Sequence, residues 1–283
     1  MSIRLLHGDC LTLMKDISAN SVDLIICDLP YGCLASKDII VKRGEDGYQN
    51  GGRAMSSCSW DIKINLQAFW TEAKRILRNE HSPVIHFCTT KFGFELYNSN
   101  PDWFRYDLVW AKHRGVSFLT ANKMPMRSHE MIYIFSDKGA FYNRLDEDAP
   151  GKKACKKLSE VKNLPESTSN AFKAYSGILK SDMPENKKCS ISVIDGSTMV
   201  VGCKKGKHPT EKPMALYRWL IERYCPPNGT ILDPTFGSGN SCFVAQEMGR
   251  HAIGMEKDKD FYDKAMKKIA QPANTIIEDW KFS

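Results

Sequence analysis

The sequence predicts a doubly wound α/β sheet. Three observations lead there. Short apolar runs alternate along the chain with segments of helical periodicity. The runs are apolar on both faces and end at Gly, Pro or Asp, as strands do when helices cover both sides of a sheet. At 283 residues, 42% hydrophobic and 26% charged, the chain has the composition of a folded protein with a sizeable core.

In chain order, the strands are expected at 3–7, 22–27, 84–88, 106–110, 131–135, 230–233 and 252–256. The helices are expected at 66–77, 92–98, 214–224, 241–248 and 259–270. In the first helix Leu66, Phe69, Trp70, Ala73 and Leu77 form one stripe at helical spacing. Two stretches break the alternation. Residues 33–60 hold Gly44, Gly47, Gly51 and Gly52 with little periodicity, which predicts a mobile loop of functional interest. Residues 142–207 are polar and lysine-rich and separate two well-patterned halves like an insertion. The expected organisation is therefore 1–141, 142–207 and 208–283.

Composition also excludes classes. No apolar run approaches the roughly 18–20 residues of a membrane span, and MSIRLLHGDC lacks the features of a signal peptide. The ten cysteines form no CxxC pair and several sit in apolar runs. They are read as buried reduced thiols of a cytoplasmic protein. The net charge of +7 has an address: residues 151–207 carry 12 Lys, no Arg and 5 acidic residues, a surplus equal to that of the whole chain. Such a segment is either a solvated lysine-rich surface or the footprint of a polyanion.

Two motifs carry chemistry. In the first, the strand at 230–233 ends at Asp233 and runs through Phe236-Gly237-Ser238-Gly239-Asn240 into a helix. The glycines let backbone approach a ligand, and the new helix offers free N–H groups. Glu256, at the end of the next strand, is spaced to accept hydrogen bonds from a ribose diol. A third glycine is missing, which argues against a dinucleotide.

The second motif is Asp28-Leu29-Pro30-Tyr31, directly after the strand at 22–27. The exocyclic amine of a nucleobase is a poor nucleophile because its lone pair is delocalised. A carboxylate and a backbone carbonyl accepting its two N–H bonds would localise that pair, and an aromatic ring would hold the base by stacking. Asp28, the Leu29 carbonyl and Tyr31 offer those roles, and Pro30 stiffens the turn. Taken alone, the tetrad also reads as an ordinary strand followed by an Asp/Pro turn.

Together the motifs resemble the amino-methyltransferases of DNA, which pair a D/N/S-P-P-Y/F/W tetrad with an FxGxG cofactor motif. The order here, tetrad first, resembles the permuted β group, and the resemblance runs nearly the whole chain. It includes Leu5-Leu6-His7-Gly8-Asp9-Cys10, Trp110-Ala111-Lys112, the run at 118–123, and His208-Pro209-Thr210-Glu211-Lys212-Pro213. The resemblance implies a Rossmann-like, circularly permuted methyltransferase fold with an inserted target-recognition region at 142–207. It implies S-adenosylmethionine as cofactor, DNA as partner, and methylation of adenine N6 with base flipping. Asp28, Leu29, Pro30 and Tyr31 match the catalytic tetrad. Asp233, Phe236, Gly237, Ser238, Gly239 and Asn240 match the cofactor loop, Glu256 the ribose-binding acid, and Asp9 with Cys10 the adenine end. Thr210, Glu211 and Lys212 fall where family members contact the methionine carboxylate.

Leu29 departs from the family's first proline; the carbonyl acceptor survives and some rigidity is lost. Asp at the first position favours adenine N6, with cytosine N4 as the alternative and a degenerate DNA-binding relative as another. Within the basic segment the lysines are expected on phosphates, and Asn163, Ser167, Thr168, Ser169 and Asn170 are candidates for base reading. His129-Glu130 has no second histidine at ligand spacing and reads as structural, and the proposed chemistry needs no metal. Lys112 and Arg114 could touch phosphate. Family members are often dimeric, so a homodimer is an expectation, while no motif specifies a restriction partner.

Overall fold

The structure, a computed structural model, describes residues 1–32, 61–116, 121–151, 185–197 and 211–270. It divides into two compact units, Met1–Asn143 with Ser192–Ser283, and Arg144–Ile191. In chain order the elements are β1 (Ile3–His7), α1 (Cys10–Leu13), β2 (Leu24–Cys27), α2 (Leu66–Ile76), β3 (Val84–Cys88), α3 (Thr90–Ser99), β4 (Phe104–Val116) and β5 (Arg127–Phe135). Then come β6 (Glu147–Asp148), β7 (Lys187–Lys188), β8 (Val193–Gly196), α4 (Met214–Tyr224), β9 (Thr230–Asp233), α5 (Asn240–Glu247), β10 (His251–Glu256) and α6 (Lys259–Ile269).

The larger unit is built on an eight-stranded sheet in the order β1-β10-β9-β2-β3-β5-β4-β8. From β1 to β3 the pairs are parallel, β5 runs antiparallel to both β3 and β4, and β8 is parallel to β4. Alternation along each strand divides the core. Leu24 and Ile26 of β2 join a cluster with Leu216, Leu220 and Tyr224 of α4 and Val244 of α5. Ile25 and Cys27 join the opposite cluster with Phe69, Trp70, Ala73 and Ile76 of α2 and Phe92 and Leu96 of α3. A strand buried on both faces has no polar side to display, which is why these runs are apolar throughout.

Helix starts follow their caps. Asn65 accepts from Ala68 N at 3.1 Å, Thr89 from Phe92 N at 3.4 Å, and Asp258 from Asp260 N at 2.9 Å. Among the described residues, Cys10, Cys27, Cys88, Cys225 and Cys242 are free and buried, and Cys189 is free and exposed.

Short α1, β6 and β7 were not expected, and neither was β8. Val193–Gly196 lies inside the stretch read as an insertion at 142–207, yet it extends the main sheet by pairing with Val109–Lys112. It is an edge strand with only Ile194 and Gly196 buried, so it lacks the continuous apolar run of a central strand. The second compact unit therefore ends at Ile191. Within it, Lys187 pairs with Asp148 at 2.5 Å and Lys188 with Glu147 at 3.7 Å across the β6–β7 ribbon.

Because β2, β9, β10 and β1 are adjacent and parallel, their carboxyl ends form one edge of the sheet. Ligands bind at such an edge in open α/β sheets. Segments about 200 residues apart in sequence thus meet there.

Candidate active site

A cavity of about 470 Å³ opens at that edge. One wall is Asp28, Leu29, Pro30 and Tyr31 after β2. Another is Phe236, Gly237 and Ser238 after β9, and a third is Glu256 at the end of β10 with Asp9 and Cys10 after β1. Glu211 and Lys212, just before α4, line it too, as does Glu130 of β5.

The turn after β9 needs its glycines: Gly237 has φ +54° and Gly239, capping α5, has φ +83°. Gly237 N donates to Glu256 Oε2 at 2.9 Å, and Asp258 N donates to Oε1 at 2.7 Å. Burial nevertheless raises the Glu256 carboxyl above its ordinary range, those two N–H groups only partly offsetting it. Asp9 accepts from Leu11 N at 3.1 Å and pairs with Lys257 at 3.3 Å. Burial, with Asp9 adding to it, pushes the Cys10 thiol up to about 11, so it lines the cavity as a neutral group.

At the other wall, Asp28 is held from both sides. Its Oδ1 accepts from the Tyr31 hydroxyl at 2.5 Å, and its Oδ2 accepts from Lys212 Nζ at 2.5 Å. Lys212 also lies 3.4 Å from Glu130 Oε2, and Glu130 Oε1 accepts from Lys112 Nζ. Burial alone would lower the Lys212 ammonium, but Asp28 and Glu130 outweigh it and raise it. Burial likewise works to raise Glu130, and Lys212 and Lys112 hold it below the usual carboxylate value. Burial, reinforced by Asp28, keeps the Tyr31 phenol well above its ordinary value and therefore neutral. Its ring lies 5.0 Å from that of Phe92. The turn is anchored beneath: Gly32 N donates to buried Asp61 at 2.8 Å, and the Cys27 thiol lies 3.1 Å from His86 Nδ1. Burial lowers that imidazole to about 3, which keeps it an uncharged partner for the thiol.

Residues 22–267 match a family model described as DNA methylase, a span covering most of the chain. The chain belongs to the DNA methylase family. This methylase is 26% identical over 281 residues to the Type II methyltransferase M.HinfI of Haemophilus influenzae, covering 94% of this chain and 68% of the relative. It is 22% identical over 296 residues to the Type II methyltransferase M.ScaI of Streptomyces caespitosus, covering 97% and 84%. Its fold is similar to that of the M1.HpyAVI–SAM complex, with TM-score 0.55, 17% identity, and 94% and 99% of the two chains covered. It is also similar to the PvuII DNA methyltransferase, described as cytosine-N4-specific, with TM-score 0.60, 14% identity, and 97% and 88% covered. The fold is that of a Rossmann-like methyltransferase.

The methylase does not bring every expected residue to the cavity wall. Asp233 turns to Ser241 Oγ and to Thr235 N at 3.0 Å. Gly239 packs as the cap of α5, where a Cβ would meet the Phe243 ring at 2.7 Å. Asn240 braces the wall from behind, donating to Glu211 Oε1 at 2.8 Å and to the Lys212 carbonyl at 2.9 Å. Lys212 does line the cavity, and its ammonium there grips Asp28. Glu130, read in sequence as structural, lines the cavity, and Lys112 pairs with it. Asp61, Lys63 and Phe261 also line the cavity and carried no signal in the sequence. Thr210, the loop at 33–60, residues 118–120 and the base-reading candidates at 163–170 lie outside the described residues.

Proposed function

We propose that this DNA methyltransferase uses S-adenosylmethionine to methylate N6 of adenine in DNA, as a permuted β-group enzyme with Asp-Leu-Pro-Tyr in place of the usual tetrad. The observation that carries the reading is the common cavity of that tetrad, the Gly237 turn and Glu256.

The residues fit the cofactor. The Gly237–Gly239 turn keeps side chains out of the approach, Glu256 offers a carboxylate suited to a ribose diol, and Asp9 and Cys10 stand where the adenine end would lie. When bound, the cofactor supplies a methyl group on a sulfonium, already an activated leaving arrangement. The protein's task is alignment. Asp28 and the Leu29 carbonyl orient the target amine and draw its lone pair toward the reacting face. Tyr31, neutral and beside Asp28, stacks on the base. A base inside a duplex cannot reach this cavity, so it flips out. The lysines of 151–207 serve phosphate contacts, which makes DNA affinity steeply salt-dependent.

Adenine is preferred because the first tetrad position is a carboxylate, Asp28, rather than a serine hydroxyl. The test is methylation of duplex DNA followed by digestion to nucleosides. N6-methyladenine is expected, and N4-methylcytosine would transfer the same machinery to the other amine. Asp28→Ala and Tyr31→Ala should each abolish methylation while cofactor binding persists. Normal turnover in both variants sinks the assignment.

A further inference from the structure

We infer that Lys212 is a positioning residue for methyl transfer: its buried ammonium pins one oxygen of the Asp28 carboxylate and leaves the other for the target amine, with Glu130 as its counter-charge. The inference rests on the methyltransferase reading above.

Lys212 reaches Asp28 across 184 residues of sequence and is only 5% exposed. A buried ammonium is costly unless paired. Here it faces two carboxylates, Asp28 Oδ2 at 2.5 Å and Glu130 Oε2 at 3.4 Å, and its Nζ lies 5.1 Å from the centre of the Phe87 ring. Glu130 is balanced in turn by Lys112. Charge thus alternates from Asp28 through Lys212 and Glu130 to Lys112.

The two Asp28 oxygens are unequal as a result. Oδ2 is held by an ammonium that water barely reaches. Oδ1 accepts, among the described residues, the phenol of Tyr31 from the same turn, a neutral partner that a target amine can displace. One oxygen is fixed and the other is exchangeable, so the free acceptor faces the cavity in a single orientation. Orientation secured before the substrate arrives is a direct contribution to rate. The fixing extends to the cofactor turn, because Asn240, the first residue of α5, holds the Lys212 carbonyl at 2.9 Å. Glu130 Oε2 is buried and lies 3.4 Å from Lys212 Nζ, which makes it the second tether of the ammonium.

The experiment measures single-turnover methyl transfer to duplex DNA at saturating S-adenosylmethionine, and cofactor affinity by calorimetry. Lys212→Met should cut the saturating rate about 100-fold and leave the cofactor Kd unchanged. Lys212→Arg, which restores the charge, should recover part of the rate. If Lys212→Met, which strips Asp28 and Glu130 of their shared ammonium, does not fold, Lys212→Met with Glu130→Gln removes one charge of each sign. That double variant should show the same loss of rate with an intact Kd. A raised Kd with an unchanged saturating rate overturns the inference and assigns Lys212 to the cofactor. An unchanged rate and Kd overturns it too, while wild-type methylation keeps the underlying reading standing. Wild-type protein that methylates no DNA sinks the reading and the inference together.

Discussion

Asp233, at the end of β9, is 2% exposed and accepts hydrogen bonds from Thr235 N and the Ser241 hydroxyl. Burial outweighs those two donors, with Asp28 and Glu256 adding to it, and lifts the carboxyl from 3.8 to about 7. The folded protein therefore holds this proton more tightly than the unfolded chain. The resulting stability is complete below the unfolded value and is lost as pH rises toward 7. Each tenfold gain in proton affinity is worth about 1.4 kcal/mol, so the full loss is of order 4 kcal/mol. Asp233→Asn keeps the shape and removes the charge, so its stability relative to wild type should climb with pH. The climb should be about 2 kcal/mol between pH 5 and pH 7, flattening above. Urea unfolding of both proteins at pH 5, 6, 7 and 8 measures this, and titrating groups that do not interact with Asp233 cancel in the difference. A difference that stays constant across the series would refute a buried, proton-holding Asp233.

Two further substitutions probe the tetrad's footing. Leu29 is 1% exposed within the α2–α3 cluster, so Leu29→Ala should cost about 2–5 kcal/mol in urea unfolding and Leu29→Met less than about 1.5. Asp61→Ala removes the acceptor for Gly32 N and should lower stability by about 1–2 kcal/mol. Its methylation rate should fall more than its melting temperature suggests, because the loosened turn carries Tyr31; equal retention of both would discount that support.

Much of the sheet was legible in the sequence. Strands such as Val84–Cys88 and Thr230–Asp233 lie where their apolar runs lie, since burial on both faces leaves a local signature. Helix α4, Met214–Tyr224, matches its expected span for a similar reason: its buried residues repeat at helical spacing. β8 escaped because an edge strand with a half-exposed pattern resembles the polar sequence around it. β4 and β5 run longer than expected, as their antiparallel pairing continues beyond the apolar stretch.

The site divides along the same line. By itself the sequence determined the candidate groups of the proposed site, because Asp28-Leu29-Pro30-Tyr31, the Gly237 turn and Glu256 are each written in a few consecutive residues or at strand-to-strand spacing. It also located the whole charge surplus in residues 151–207. Only the tertiary structure decided which charges meet. Lys212, Glu130 and Lys112 come from three separate segments: Lys212, just before α4, meets Asp28, and the adjacency of β3, β5 and β4 brings Glu130 and Lys112 into the same chain of charges. Pairing between buried charges depends on distance and desolvation, and neither is encoded in any local run of residues.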